Sequence, residues 1–215
     1  MPIKNKRPAI NKSGKPRKIH SPKSKISRVI EDKVFGLLHE PVTIRASKFQ
    51  NAFKNSTLPE KKLFFSVLGN LLLRNPEKNI RLNVVHSLFR LIEHSGRKTG
   101  TKFLEKAALT DKDYEVRIYS FKYLLELSKP NENIIKTMLA KKVLPFGERF
   151  NLLFRQTVVD SVARSNQVPK ATKLSLLNEA LKTETNLDIK KILDVSIKAV
   201  KEDRIANIVL LLNKK

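Results

Sequence analysis

The side chains in this sequence that could do chemistry are overwhelmingly cations. Residues 1–28 carry Lys4, Lys6, Arg7, Lys12, Lys15, Arg17, Lys18, Lys23, Lys25 and Arg28, with no acid before Glu31. Spaced by Pro, Ser, Asn and Gly, these charges suit an extended arm that follows phosphates and releases their condensed counterions. The same residues also fit a solubilising tail or a nuclear-import signal, with segments 4–7 and 15–18 as its basic clusters. The tail does not account for all the charge. The chain has 44 Lys and Arg against 20 Asp and Glu, a net of +24. Setting the ten tail cations aside leaves 34 against 20, so the remaining residues still carry +14. A body that basic is itself expected to meet polyanions.

Other chemistries find little support. There is no Cys, which removes thiol catalysis, disulfides and thiolate-bound metals. His20, His39, His86 and His94 lack metal-ligand spacing. Asp111, Asp113 and Glu115 begin like a calcium loop. The sixth position is Val116 where Gly is required, however, and the twelfth is Lys122 where Glu is required. These acids are expected to cap a helix and shape a turn. Segment 96–102, Gly-Arg-Lys-Thr-Gly-Thr-Lys, could hold one phosphate on its amides and a helix N-terminus, or be a flexible joint. Its glycine spacing is not that of a P-loop, and no strand precedes it. No nucleophile elbow or catalytic triad is visible. The reading is a non-enzymatic protein with no cofactor and no metal.

These cations need elements to position them. A chain of 215 residues, 40% hydrophobic, can bury a sizeable core. No apolar run approaches the roughly 20 residues of a membrane span, and the basic start is not followed by the apolar block of a secretory signal. A soluble, cytoplasmic protein is expected. Residues 1–28, with Pro2, Pro8, Pro16 and Pro22 and few apolar side chains, are expected to be a disordered basic tail. Residues 29–215 form the folded domain. There the apolar residues recur with helical spacing and without strand alternation.

The domain repeats. Ile80-Arg81-Leu82-Asn83-Val84-Val85-His86-Ser87-Leu88 aligns with Val116-Arg117-Ile118-Tyr119-Ser120-Phe121-Lys122-Tyr123-Leu124, 36 residues later. The same frame falls at Ile44-Arg45 with Phe49 and Ala52, at Phe154-Arg155 with Val159 and Val162, and at Ile189-Lys190 with Leu193 and Ile197. Each copy follows another amphipathic stretch, which is the signature of stacked helix pairs. First helices are expected near 27–38, 57–73, 100–109, 131–141 and 169–182. Second helices are expected near 42–54, 77–94, 113–128, 147–164 and 187–200, with a last helix near 202–212. Thr57, Pro59 and Glu60 supply a helix start, and Pro130, Pro145 and Pro169 fall at breaks.

A helix pair of about 36 residues with an apolar–Arg step in its second helix resembles the HEAT-repeat family, part of the armadillo-like group. The sharpest copy is Asp111 to Arg117, with Ser120, Leu124 and Leu127 behind it. The resemblance covers roughly residues 27–213. It implies an all-α fold: a right-handed α-solenoid of about five helix pairs plus a C-terminal capping helix. It also implies that the ladder Arg45, Arg81, Arg117, Arg155 and Lys190 bonds to turn acids and carbonyls of neighbouring units. Ligand contacts are then expected from cations off that frame. Lys48, Lys54, Arg90, Lys122, Arg164, Lys191 and Lys198 lie on second helices, which line the concave side in this family. Arg97, Lys98 and Lys102 surround one helix start, with Lys61 and Lys62, and Lys141 and Lys142, near other ends.

Some HEAT-like solenoids are glycosylases for alkylated DNA bases. Here that likeness rests on Asp160 within a second helix and on Tyr114, Tyr119 and Tyr123, while the chain lacks Trp. Tyr119 and Tyr123, four residues apart, read more simply as packing. The resulting expectation is a monomeric, basic repeat protein that binds nucleic acid, RNA or DNA, through phosphate contacts of its tail and concave surface. The alternative is an interaction scaffold for an acidic protein partner. Neither reading involves a membrane.

Overall fold

A computed structural model describes residues 25–95, 98–127, 130–140 and 148–204. Within them the side chains of Lys25, Val42, Thr43, Ala46, Lys98, Glu148 and Arg149 are not described. The described residues form ten helices and no strand. In chain order these are α1 (Lys25–Leu38), α2 (Val42–Lys54), α3 (Leu58–Arg74), α4 (Lys78–Ser95) and α5 (Lys98–Thr110). They continue as α6 (Tyr114–Glu126), α7 (Glu132–Ala140), α8 (Glu148–Arg164), α9 (Lys170–Thr183) and α10 (Leu187–Lys201). The ten helices expected from periodicity sit within about two residues of these bounds, the drift usual at helix ends.

Two boundaries differ. Helix α1 starts at Lys25, so the last four residues expected in the tail belong to a helix. The reason lies just beyond them: Ile30, Val34 and Leu38 recur at helical spacing and are buried, and the helix they anchor runs back one further turn toward the tail. At the other end, α10 stops instead of passing into a helix from 202. Asp203 takes a left-handed φ of 53°, and the Arg204 N–H folds back onto the Ala199 carbonyl at 2.9 Å. The rest of the expected last helix lies outside the described residues.

Short polar side chains start the helices. The Asp113 carboxylate accepts from the backbone N–H of Glu115 at 2.9 Å, at the start of α6. Asn186 Oδ1 accepts from Asp188 and Ile189, both at 3.0 Å, at the start of α10. At the start of α3 the Thr57 N–H and hydroxyl both donate to Glu60, at 2.7 and 2.9 Å. Each satisfies donors that the helix itself cannot reach.

Packing follows the repeat. Each helix packs on its sequence partner: α1 on α2, α3 on α4, α5 on α6, α7 on α8 and α9 on α10. Odd helices also meet odd ones (α1 with α3, α3 with α5, α7 with α9), and even helices meet even ones from α2 through α10. One continuous core runs between the two sets, with Phe49, Phe64, Phe65, Phe121 and Phe154 fully buried. Close approach of helices is fixed by small residues. A Cβ on Gly69 would fall 2.3 Å from the Phe103 ring, and one on Gly100 would fall 2.6 Å from Ile92. Among the described residues no helix is long and apolar enough to cross a membrane.

Candidate nucleic-acid interface

The arginine ladder is the first set of cations that the fold positions. Arg45, Arg81, Arg117 and Arg155 each stand one residue after an apolar position, the first three at the fourth residue of α2, α4 and α6 and the last midway along α8, and all four are buried. Arg45 Nε and Nη2 donate to the Glu40 carbonyl at 3.0 and 2.7 Å. Arg81 makes a two-pronged pair with Asp111 and also donates to the carbonyls of Asn75 and Pro76. Arg117 Nε donates to the Asp111 carbonyl, and Arg155 Nη2 pairs with Glu184. Buried guanidinium groups so engaged hold turns together and are not presented to a ligand. Lys190 does not behave as a fifth rung. It is half-exposed, and Asp194 four residues on faces solvent where the other copies bury Phe49, Val85, Phe121 and Val159.

Nothing in the residue pattern singles out Glu184, yet it does for α8 and α10 what Asp111 does for α4 and α6. Its Oε1 accepts from the N–H groups of Thr185 and Asn186, both at 2.8 Å. Asp111 Oδ1 likewise accepts from Asp113 at 2.8 Å. The two acids stand at similar separations, Asp111 30 residues after Arg81 and Glu184 29 after Arg155.

The cations off the ladder divide into two groups. Lys48 is ion-paired with Glu40 at 2.6 Å, Arg90 with Glu93 at 3.0 Å, and Arg164 with Asp160 at 2.7 Å. These three candidates therefore have acid partners of their own. The pairs are open to solvent and weak, however, so each can be exchanged for a phosphate. Lys54, Lys122, Lys191 and Lys198, on α2, α6 and α10, are exposed and without an acid partner among the described residues. Arg28 on α1 and Lys102 on α5 are also exposed, but on odd helices. The candidates Lys4, Lys6, Arg7, Lys12, Lys15, Arg17, Lys18, Lys23 and Arg97 lie outside the described residues, as do the side chains of Lys25 and Lys98. Lys122 and Arg164 line one cavity of about 400 Å³ between α6 and α8, together with Glu126 and Asp160. Two cations facing two acids leave that cavity near neutral.

Aromatic rings interleave with the cations on α4 and α6. Phe89 stacks on Tyr123 with ring centroids 4.2 Å apart, and the Arg90 guanidinium lies 5.6 Å from the Phe89 centroid. The Tyr123 hydroxyl is hydrogen-bonded to His86 Nδ1. The His86 ring in turn lies 5.6 Å from that of Tyr119, which is 40% exposed. Burial, with the charges of Arg45 and Arg90 added, holds the His86 imidazolium pKa below its ordinary value.

No family model, no curated protein and no solved structure matches this chain. Its chemistry therefore rests on its own residues. Asp160, the residue on which a glycosylase likeness rested, accepts Arg164 Nε one turn along the same helix. No group of three metal-ligating side chains occurs among the described residues.

Proposed function

We propose that the helix pairs stack as a right-handed HEAT-like solenoid of about five units, and that the protein is a non-catalytic binder of nucleic acid through phosphate contacts. The odd-on-odd and even-on-even packing supports the first part, because successive pairs bury their faces against one another. The even helices then line the concave side. The observation that carries the second part is the separation of cations by role. The ladder arginines are buried in turns, while Lys54, Lys122, Lys191 and Lys198 remain exposed and unpaired on even helices of a domain with a net charge of +14.

Contacts of this kind position a backbone without reading sequence, so affinity depends steeply on salt and weakly on base order. The test is salt-titrated binding of the full chain to duplex DNA, duplex RNA and single-stranded RNA. The companion variant replaces Lys54, Lys122, Lys191 and Lys198 by Gln. Loss of these contacts lowers the slope of log K against log salt by up to about one per lysine. A variant that matches the parent removes these four lysines from the interface. Absence of binding by either protein near physiological salt overturns the reading.

One observation favours the second reading, a scaffold for an acidic protein. Phe150 and Leu153 on α8 are both 46% exposed, and large exposed apolar side chains suit a protein partner. Under that reading, complexes survive nuclease treatment.

A further inference from the structure

We propose that the face shared by α4 and α6 is a stacking site for an unpaired nucleobase, with Tyr119 as the platform and Arg90 and Lys122 as contacts for the flanking phosphates. This deepens the nucleic-acid reading, on which it rests, by naming single-stranded segments as the preferred ligand of that face.

The geometry has three parts. Tyr119 stands three residues before Lys122 and four before Tyr123, so on α6 its ring has a cation on one side and a second ring on the other. His86 and Arg90 are four apart on α4 and meet that face: the His86 centroid lies 5.6 Å from Tyr119 and 5.3 Å from Tyr123. The rings are also fixed in place. Tyr123 is stacked on buried Phe89 and hydrogen-bonded to His86, so the support beneath Tyr119 is held by packing and a hydrogen bond together.

Packing alone does not explain Tyr119. Its neighbours Phe121 and Ile118 are buried, whereas Tyr119 itself is 40% exposed. An aromatic ring held rigidly at the surface loses little freedom when a base stacks on it. Every base has a π-face, so the contact tolerates any sequence, but it requires a base that is not already stacked in a duplex. Lys122 is exposed and has no acid partner among the described residues. Among the described residues the acid paired with Arg90 is exposed Glu93, a pair that a phosphate can displace.

The experiment uses the full chain and four probes of equal length: a uridine homopolymer, the corresponding deoxyribose strand, an RNA duplex and a DNA duplex. Tyr119→Ala is expected to weaken single-strand binding by roughly 5- to 150-fold, while duplex binding changes less than about two-fold. Tyr119→Phe keeps the ring and is expected to bind single strands within about two-fold of the parent. The ribose and deoxyribose strands separate an RNA ligand from a DNA ligand. Equal loss on single strands and duplexes, or no loss on single strands, overturns the stacking site. If the parent binds duplexes with a steep salt slope and Tyr119→Ala changes nothing, only this inference fails. If the parent binds no probe, the nucleic-acid reading fails with it.

Discussion

Arg81 donates Nε and Nη2 to the two carboxylate oxygens of Asp111, thirty residues along the chain, at 2.9 and 3.0 Å. Both side chains are almost wholly buried. The pair joins the second helix of one unit to the turn of the next, and Asp111 also offers its backbone carbonyl to Arg117. One acid thus ties three segments: α4, the turn after α5, and α6. Arg155 and Glu184 repeat the arrangement for α8, the turn after α9 and, through the Glu184 bonds to Thr185 and Asn186, the start of α10.

Removing the acid from such a pair leaves a buried cation without compensation. Asp111→Ala is expected to lower unfolding free energy by about 3–5 kcal/mol. Glu184→Gln, which keeps a hydrogen-bonding side chain, is expected to cost about 1–3 kcal/mol. Glu179→Gln breaks only the exposed pair with Lys136 and is expected to cost less than about 1 kcal/mol. Urea unfolding of the three variants checks the order, and equal small losses would remove the buried pairs from the fold's support.

The glycines give opposite signs from one substitution. Gly36 on α1 has no other atom within 4 Å of where an added methyl would sit, so Gly36→Ala gains helix propensity, about 0.5–1 kcal/mol. At Gly100 the same methyl meets Ile92 at 2.6 Å and Phe65 at 2.9 Å. Both neighbours are buried, so Gly100→Ala is expected to destabilise by about 1–3 kcal/mol. Thermal melts of the two variants should shift in opposite directions.

His86 makes stability depend on pH in a defined direction. Burial and the nearby charges of Arg45 and Arg90 keep its folded-state pKa below the ordinary 6.5. Above about pH 6.5 both folded and unfolded forms are neutral and the group adds no slope. As pH falls below that value the unfolded chain takes up a proton before the folded one does, and stability declines until the folded pKa is passed. His86→Gln is expected to flatten the stability profile between about pH 6.5 and the lower folded-state value. A profile identical to that of the parent would count against a buried neutral imidazole bonded to Tyr123.

Acids that compete for candidate cations should oppose binding. Glu40 and Glu93 pair with Lys48 and Arg90 on the even helices. The double variant Glu40→Gln, Glu93→Gln frees both cations, and affinity for single-stranded RNA at low salt is expected to rise by about two- to five-fold, with a steeper salt slope. Fluorescence anisotropy across a salt series reads both quantities. Unchanged affinity would place Lys48 and Arg90 outside the interface.

Local order was legible from residue types because its causes are local. Apolar spacing, the Thr57–Glu60 start, Asp113 as a cap and Pro169 at a break mark helix starts, and each acts within one turn of chain. The apolar–Arg step recurs at regular spacing, and the HEAT-repeat resemblance resting on it implied that Arg45, Arg81, Arg117 and Arg155 hold turns. Lys190 satisfied the pattern by type, but the packing of α10 leaves it half-exposed.

What the sequence by itself determined is therefore the helices, their period, the basic character of the whole and the cations available to a ligand. Only the tertiary structure decided which cations those are in practice. Glu184 reaches Arg155 across 29 residues, and Asp111 reaches Arg81 across 30, distances at which no periodicity names the partner. The exposure of Tyr119 beside His86 was decided in the same way, by the packing of α6 against α4. Charge and helical period are additive along a chain, whereas pairing and exposure depend on which surfaces folding brings together.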